Sequence, residues 1–183
     1  ADGYDYFDLD SSESYILFGA DYATDRKGGD LLRTSLRHLQ NRENINLLTF
    51  GGVETVADLQ LPVIHLGWLS DNELSLAYST ADVMSVPSRQ EAFGQTASEA
   101  MASGTPVVGF NATGPQYLIE HQETGYLASP YDPKDLAEGL EWIITNQSRN
   151  EQLGRRAREA AEQRFTIERV TDQHRELYQD SLA

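Results

Sequence analysis

From Tyr15 onward, short continuous apolar runs alternate with stretches whose apolar residues recur every three or four positions. Residues 15–20 (YILFGA), 46–50, 63–66, 83–86 and 106–110 have the length and composition of buried parallel strands, bounded by glycine, proline or polar residues. Between them, a helical pattern begins at Asp30 with Leu31, Leu32, Leu36 and Leu39 on one face, and another covers 71–80. An alanine-rich helix is predicted over 94–103, closed by Gly104 at a C′ position. A helix from about 115 to 121, a short strand at 126–127, and helices near 133–145, 148–163 and 166–179 complete the chain. Strands alternating with helices at this spacing predict an α/β fold, a Rossmann-like parallel sheet flanked by helices on both faces. Residues 1–14 carry five acids and few aliphatics and read as a linker or entering segment, leaving 15–183 as one domain with its C-terminal helices.

At 183 residues the chain has the size of one domain with a real core. It has no cysteine, which excludes disulfides, thiolate chemistry and cysteine-held metals and fits a reducing, cytoplasmic setting. No apolar run approaches the roughly 18 residues of a membrane span, and no basic stretch leads into an apolar one as in a secretory leader. The net charge of −15 argues against nucleic acid or an anionic membrane as a general partner. Five of the fourteen Lys and Arg nevertheless lie in 26–42, where they can hold a small anion, and seven more lie in 149–175, where a solvated helix face is the expectation.

Ligands of parallel α/β sheets sit at the carboxyl ends of the strands. The most informative loop there follows the fourth strand: Pro87-Ser88-Arg89-Gln90-Glu91-Ala92-Phe93-Gly94, leading into Gln95-Thr96-Ala97-Ser98-Glu99. The unpaired N–H groups at a helix start around Gly94 suit a phosphate. Ala97, Ala100 and Met101 share the helix face that packs on the sheet. Gln95, Thr96, Glu99 and Ser103 form the opposite, polar stripe. A carboxylate at Glu99 can accept two hydrogen bonds from the vicinal hydroxyls of a ribose, and Glu91 would face the group beyond the phosphates. Together these positions outline a nucleotide-sugar.

The stretch AYSTADVMSVPSRQEAFGQTASEAMASGTPVVGFNATGP, followed by Glu123-Thr124-Gly125-Tyr126-Leu127, resembles the C-terminal domain of glycosyltransferase family 4, a retaining family of two-domain GT-B architecture. Its signature is the pair of glutamates eight positions apart, Glu91 and Glu99. The resemblance implies that this chain is the C-terminal, donor-binding half of such an enzyme. Glu91 and Lys27 would be catalytic, and Arg26, Lys27, Gly94, Gln95, Thr96, Glu99, Phe93 and Gly19 would bind the donor. It further implies a nucleoside-diphosphate sugar as donor, no metal or other cofactor, and a glycan or other hydroxyl acceptor held by an N-terminal domain absent here. The full enzyme would be cytoplasmic or peripheral at the inner membrane face. Members commonly carry an arginine directly after the glycine that ends the first strand. Here Ala20 follows Gly19, and Arg26 is the substitute considered for the second positive charge.

Other readings stay open at this level. The pocket could serve a regulatory or inactive partner module, or the fold a sugar-nucleotide epimerase or phosphorylase. A nicotinamide dehydrogenase is disfavoured, because no Gly-x-Gly-x-x-Gly follows the first strand. Gly51-Gly52 could admit a nucleotide or only turn the chain. His65 reads as a packed core histidine. The Gly67-Trp68-Leu69 turn could meet a nucleobase through its backbone or serve Trp68 packing, and Asn111-Ala112-Thr113-Gly114 could contact the sugar or cap a helix.

Overall fold

The computed structural model describes residues 2–19, 25–52, 59 and 61–181. Six parallel strands form one sheet: β1 (Ser14–Gly19), β2 (Ile45–Phe50), β3 (Val63–His65), β4 (Val83–Val86), β5 (Val107–Phe110) and β6 (Gly125–Ala128), in the order β3-β2-β1-β4-β5-β6. Side chains along β1 alternate between two cores, as the period of two in a strand requires. Ile16 and Phe18 pack with Leu32 and Leu36 of α2 (Gly29–His38) and with Leu136, Leu140 and Ile143 of α6 (Pro133–Ile144). Tyr15 and Leu17 pack on the opposite side with α3 (Asp71–Thr80) and α4 (Gln95–Ala102), and Ala157 and Ala161 of α7 (Gln147–Arg164) join them there. Both faces of the sheet are therefore covered, which is why its strands read as continuous apolar runs. A short α5 (Pro115–Leu118) follows β5, and α8 (Ile167–Ser181) ends the described chain. None of these helices is long and apolar enough to cross a membrane.

The strand order reverses between β1 and β4, so the connections leaving them run to opposite faces and open a crevice at their carboxyl ends. Helix boundaries follow local chemistry. Ser70 and Glu73 form a capping box that starts α3. Asp132 caps α6 by accepting from Lys134 N–H, and Asn146 caps α7 through Arg149 N–H.

Residues 1–14 are not wholly a linker. Gly3–Phe7 form a helix (α1) docked on α3: Gly3 is buried against Thr80, the Tyr4 hydroxyl donates to Thr80 O, and the Tyr6 hydroxyl donates to Glu73 at 2.7 Å. Tertiary contacts outweigh an acidic, helix-poor composition here. The helix expected over 115–121 is only one turn long, ending at Leu118, after which Ile119 is extended.

Candidate active site

Three loops meet at the carboxyl ends of β1, β4 and β5. The segment after β1 includes a 3-10 turn (Asp25–Lys27) and Gly28, whose φ of 70° lets α2 begin. Gly28 lies so close to the Pro87 carbonyl that a Cβ there would collide with it. Arg26 O accepts from Arg89 N–H at 2.9 Å and from Gln90 N–H at 3.3 Å. Arg89 makes a two-pronged bond to the Asp30 carboxylate, both prongs 2.6 Å, and holds that carboxyl below its usual range. The loops after β1 and β4 are thereby stitched together. From the other side, Gly114 N–H donates to Glu91 O at 2.7 Å, and Gly114 lies too close to Phe93 O to tolerate a side chain. The loop 111–114 therefore buttresses Glu91 through its backbone.

This framework places Lys27 Nζ 2.7 Å from Glu91 Oε2, both side chains mostly buried. An ammonium has three N–H donors, so Lys27 can hold Glu91 and still address an anion. It lines a slot with Gly19, Ser85, Ser88 and Thr96, where Ser85 Oγ is buried without a partner among the described residues. Glu91 faces the larger space, a pocket of about 930 Å³ that also takes in Phe93, Gly94, Gln95 and Glu99. That volume is in the range of ligand-binding clefts.

At its edge lies the start of α4. Gly94 (φ 100°) is the N-cap, no side chain among the described residues bonds to the first-turn amides, and no acid sits in that turn. The open N–H groups and positive dipole end therefore point outward. Ala97, Ala100 and Met101 are fully buried, as the sequence pattern requires, and Glu99 lies on the polar stripe. Its Oε2 accepts a 2.9 Å bond from the Tyr78 hydroxyl.

Glu91, Phe93, Gly94, Gln95 and Glu99 thus line the pocket, Lys27, Thr96 and Gly19 line the slot, and the Lys27–Glu91 ion pair joins the two. Arg26 does not join them. Successive residues of a 3-10 turn project about 120° apart, and Arg26 lines a separate recess of about 640 Å³ with Asp25, Arg89, Gln90 and Tyr131. Ala20 lies outside the described residues. His65 is exposed rather than packed in the core, with Nδ1 3.1 Å from Thr49 Oγ1. Trp68 is 85% exposed, so packing does not explain it. Gly67 O accepts from Gly51 N–H at 2.8 Å, which makes Gly51-Gly52 part of a turn between two strand ends.

The site also contains residues that sequence reasoning missed. Arg164 and Arg169 line the large pocket with Glu91 and Glu99, although the basic stretch 149–175 reads as a solvated face. The Phe165 ring packs edge-on against Phe93 at 5.5 Å. Only the tertiary course of α7 and α8 brings these three to the crevice. Among the described residues, no three acids, histidines or cysteines gather as metal ligands.

The family model for glycosyl transferases group 1 matches residues 8–160. A D-inositol 3-phosphate glycosyltransferase from Paenarthrobacter aurescens is 34% identical over 154 residues, 84% of this chain and 37% of its own length. Among solved structures, sucrose-phosphate synthase from Thermosynechococcus elongatus superposes with a TM-score of 0.85 at 28% identity, covering 99% of this chain and 48% of its own. HepE from Anabaena in complex with UDP-glucose superposes with a TM-score of 0.81 at 22% identity, covering 98% and 52%. The chain covers between 21% and 48% of the length of the first curated relatives it matches. Sheet order, crevice and family match agree: the chain belongs to the group 1 glycosyltransferases, and its fold is one half of the GT-B architecture.

Proposed function

We propose that this chain is the C-terminal, donor-binding half of a retaining glycosyltransferase that moves a sugar from a nucleoside diphosphate to an acceptor hydroxyl in glycan assembly in the cytoplasm. The observation that carries this reading is the Lys27–Glu91 pair beside the uncapped start of α4, with Lys27 and Thr96 lining a slot and Glu91, Gly94 and Glu99 lining the pocket next to it. The diphosphate would lie across the α4 amides and Lys27, the ribose at Glu99, and the sugar at Glu91. HepE, which shares the fold, carries UDP-glucose in its crystal structure and supports this class of donor.

In the reaction, the bond from the anomeric carbon to the phosphate oxygen breaks, and the acceptor oxygen bonds to that carbon on the same face. The acceptor's proton passes to the departing phosphate, whose negative charge grows in the transition state. Lys27 and the α4 amides face that charge, and losing one such contact is expected to cost about 10²-fold or more in transfer rate. On this reading these groups stabilise the leaving phosphate without a metal. The acceptor would be held by the other half of a longer protein, with closure of the two halves excluding water.

The test is a calorimetric screen of UDP-, GDP- and ADP-sugars against the chain, with Lys27→Ala and Glu99→Ala beside it. One donor class should bind, and both variants should lose most of that affinity. Equal affinity in all three proteins would sink the reading.

A further inference from the structure

Tyr78 has no part in the site as read from the sequence, yet its hydroxyl is the group that touches Glu99, at 2.9 Å. The tyrosine is 1% exposed, although it lines the groove between α3 and α4 where its hydroxyl meets Glu99. Its ring is held from several directions. Phe50, at the end of β2, meets it edge-on at 5.8 Å, and the Phe50 ring itself lies over Gly19, where a Cβ would collide with it. The Tyr78 carbonyl accepts from Thr105 Oγ1, which ties α3 to the loop before β5. The phenol therefore has one place to be. Burial, and then the nearby Glu99 charge, push its pKa upward, so it remains a donor across the physiological range.

Glu99 is in a different situation. It lines both the large pocket and a groove between α3 and α4 with Asp71, Leu74, Ser75 and Ser103. A glutamate on a partly open helix face has three side-chain torsions to fix before it can meet a ligand. A carboxylate offers about four acceptor positions on two oxygens. One bond at Oε2 leaves Oε1 and the remaining lone pairs for a vicinal diol.

We propose that Tyr78 is a positioning residue for nucleotide recognition: its buried hydroxyl pins one oxygen of Glu99 so that the carboxylate meets the ribose hydroxyls already oriented. This rests on the donor-site reading above. Ordering one rotamer-rich side chain costs roughly 0.5–1.5 kcal/mol, which is about two- to ten-fold in affinity. That cost falls only on ligands that use Glu99.

The experiment compares the wild-type chain with Tyr78→Phe, which keeps the ring and its packing, by calorimetry with UDP, GDP and ADP and their 2′,3′-dideoxy counterparts. Tyr78→Phe should bind the preferred ribonucleotide about two- to ten-fold more weakly and the dideoxy nucleotide with unchanged affinity. Glu99→Gln should show the same selectivity for the hydroxyls. A merely structural role would weaken both ligands equally or neither, and either result overturns the positioning role alone. If the wild-type chain binds none of the ribonucleotides, the donor-site reading falls and this inference falls with it.

Discussion

Helices α3 and α4 leave successive strands of one sheet and pack in the same layer, but they begin in opposite ways. At α3, Ser70 and Glu73 satisfy the helix start: Ser70 N–H and its hydroxyl donate to Glu73 Oε2 at 2.8 and 2.6 Å, and the Tyr6 hydroxyl closes the other oxygen. At α4 a left-handed glycine stands where the capping side chain would be, and the first turn carries no acid. The orphan amides of a helix start need an acceptor from somewhere. At α3 the protein supplies it. At α4 no described side chain does, and on the proposed reading the donor phosphates would.

That contrast can be attacked from both ends. The largest effect is expected from Gly94→Ala, because a φ of 100° is a strained conformation for any side chain and the new Cβ would press on Leu118. A loss of about 1–3 kcal/mol in unfolding free energy should follow, with weaker nucleotide binding as the α4 start shifts. Urea denaturation and calorimetry read the two. Ser70→Ala at the filled start should cost about 1 kcal/mol of stability and leave nucleotide affinity untouched. A fall in affinity there would mean that the two starts are not independent.

Gln95→Glu sharpens the comparison, since it gives α4 the first-turn acid that α3 already has. Stability should rise by about 0.3–1 kcal/mol while affinity for a nucleoside diphosphate falls by about ten-fold through like-charge repulsion. Opposite signs in the two measurements identify an anion site; equal signs would argue against one.

The smallest effect concerns pH. Hydrogen bonds from the Ser70 hydroxyl, then Tyr6 and the Ser70 amide, lower the Glu73 pKa from 4.5 to about 2. A carboxyl with a depressed folded-state pKa stabilises the fold above its unfolded value and loses that contribution as pH falls through the folded one. The wild-type chain should therefore lose an increment of stability between about pH 4.5 and pH 2 that Glu73→Gln lacks, measured as the difference between their melting temperatures across that range.

Much of this was legible in the sequence. The limits of β4 and α3 coincide with their patterns, because Pro87 stops the strand and the apolar positions 74, 76 and 77 recur with a helical period. Glu91, Gly94 and Glu99 were readable because loop and helix are contiguous in the chain. What escaped depends on contacts between distant residues. The docking of α1 rests on Gly3 against Thr80, and the Tyr78–Glu99 bond joins two helices. Arg26 adjoins Lys27 in sequence but faces elsewhere, since the turn that carries them rotates by about 120° per residue. The arginines of the pocket were hidden by their neighbours, because a basic stretch on an amphipathic helix gives no sign of which member turns inward.

The Lys27–Glu91 contact has a consequence for how the two ends of a donor would be sensed. The ammonium belongs to the strand end that would address the leaving phosphates, and the carboxylate to the one that would address the sugar. On the proposed reading, a phosphate that drew Lys27 toward itself would loosen its ion pair with Glu91. Occupancy of the phosphate end would then release Glu91 to the sugar end, so an empty site and a filled one would leave Glu91 in different postures.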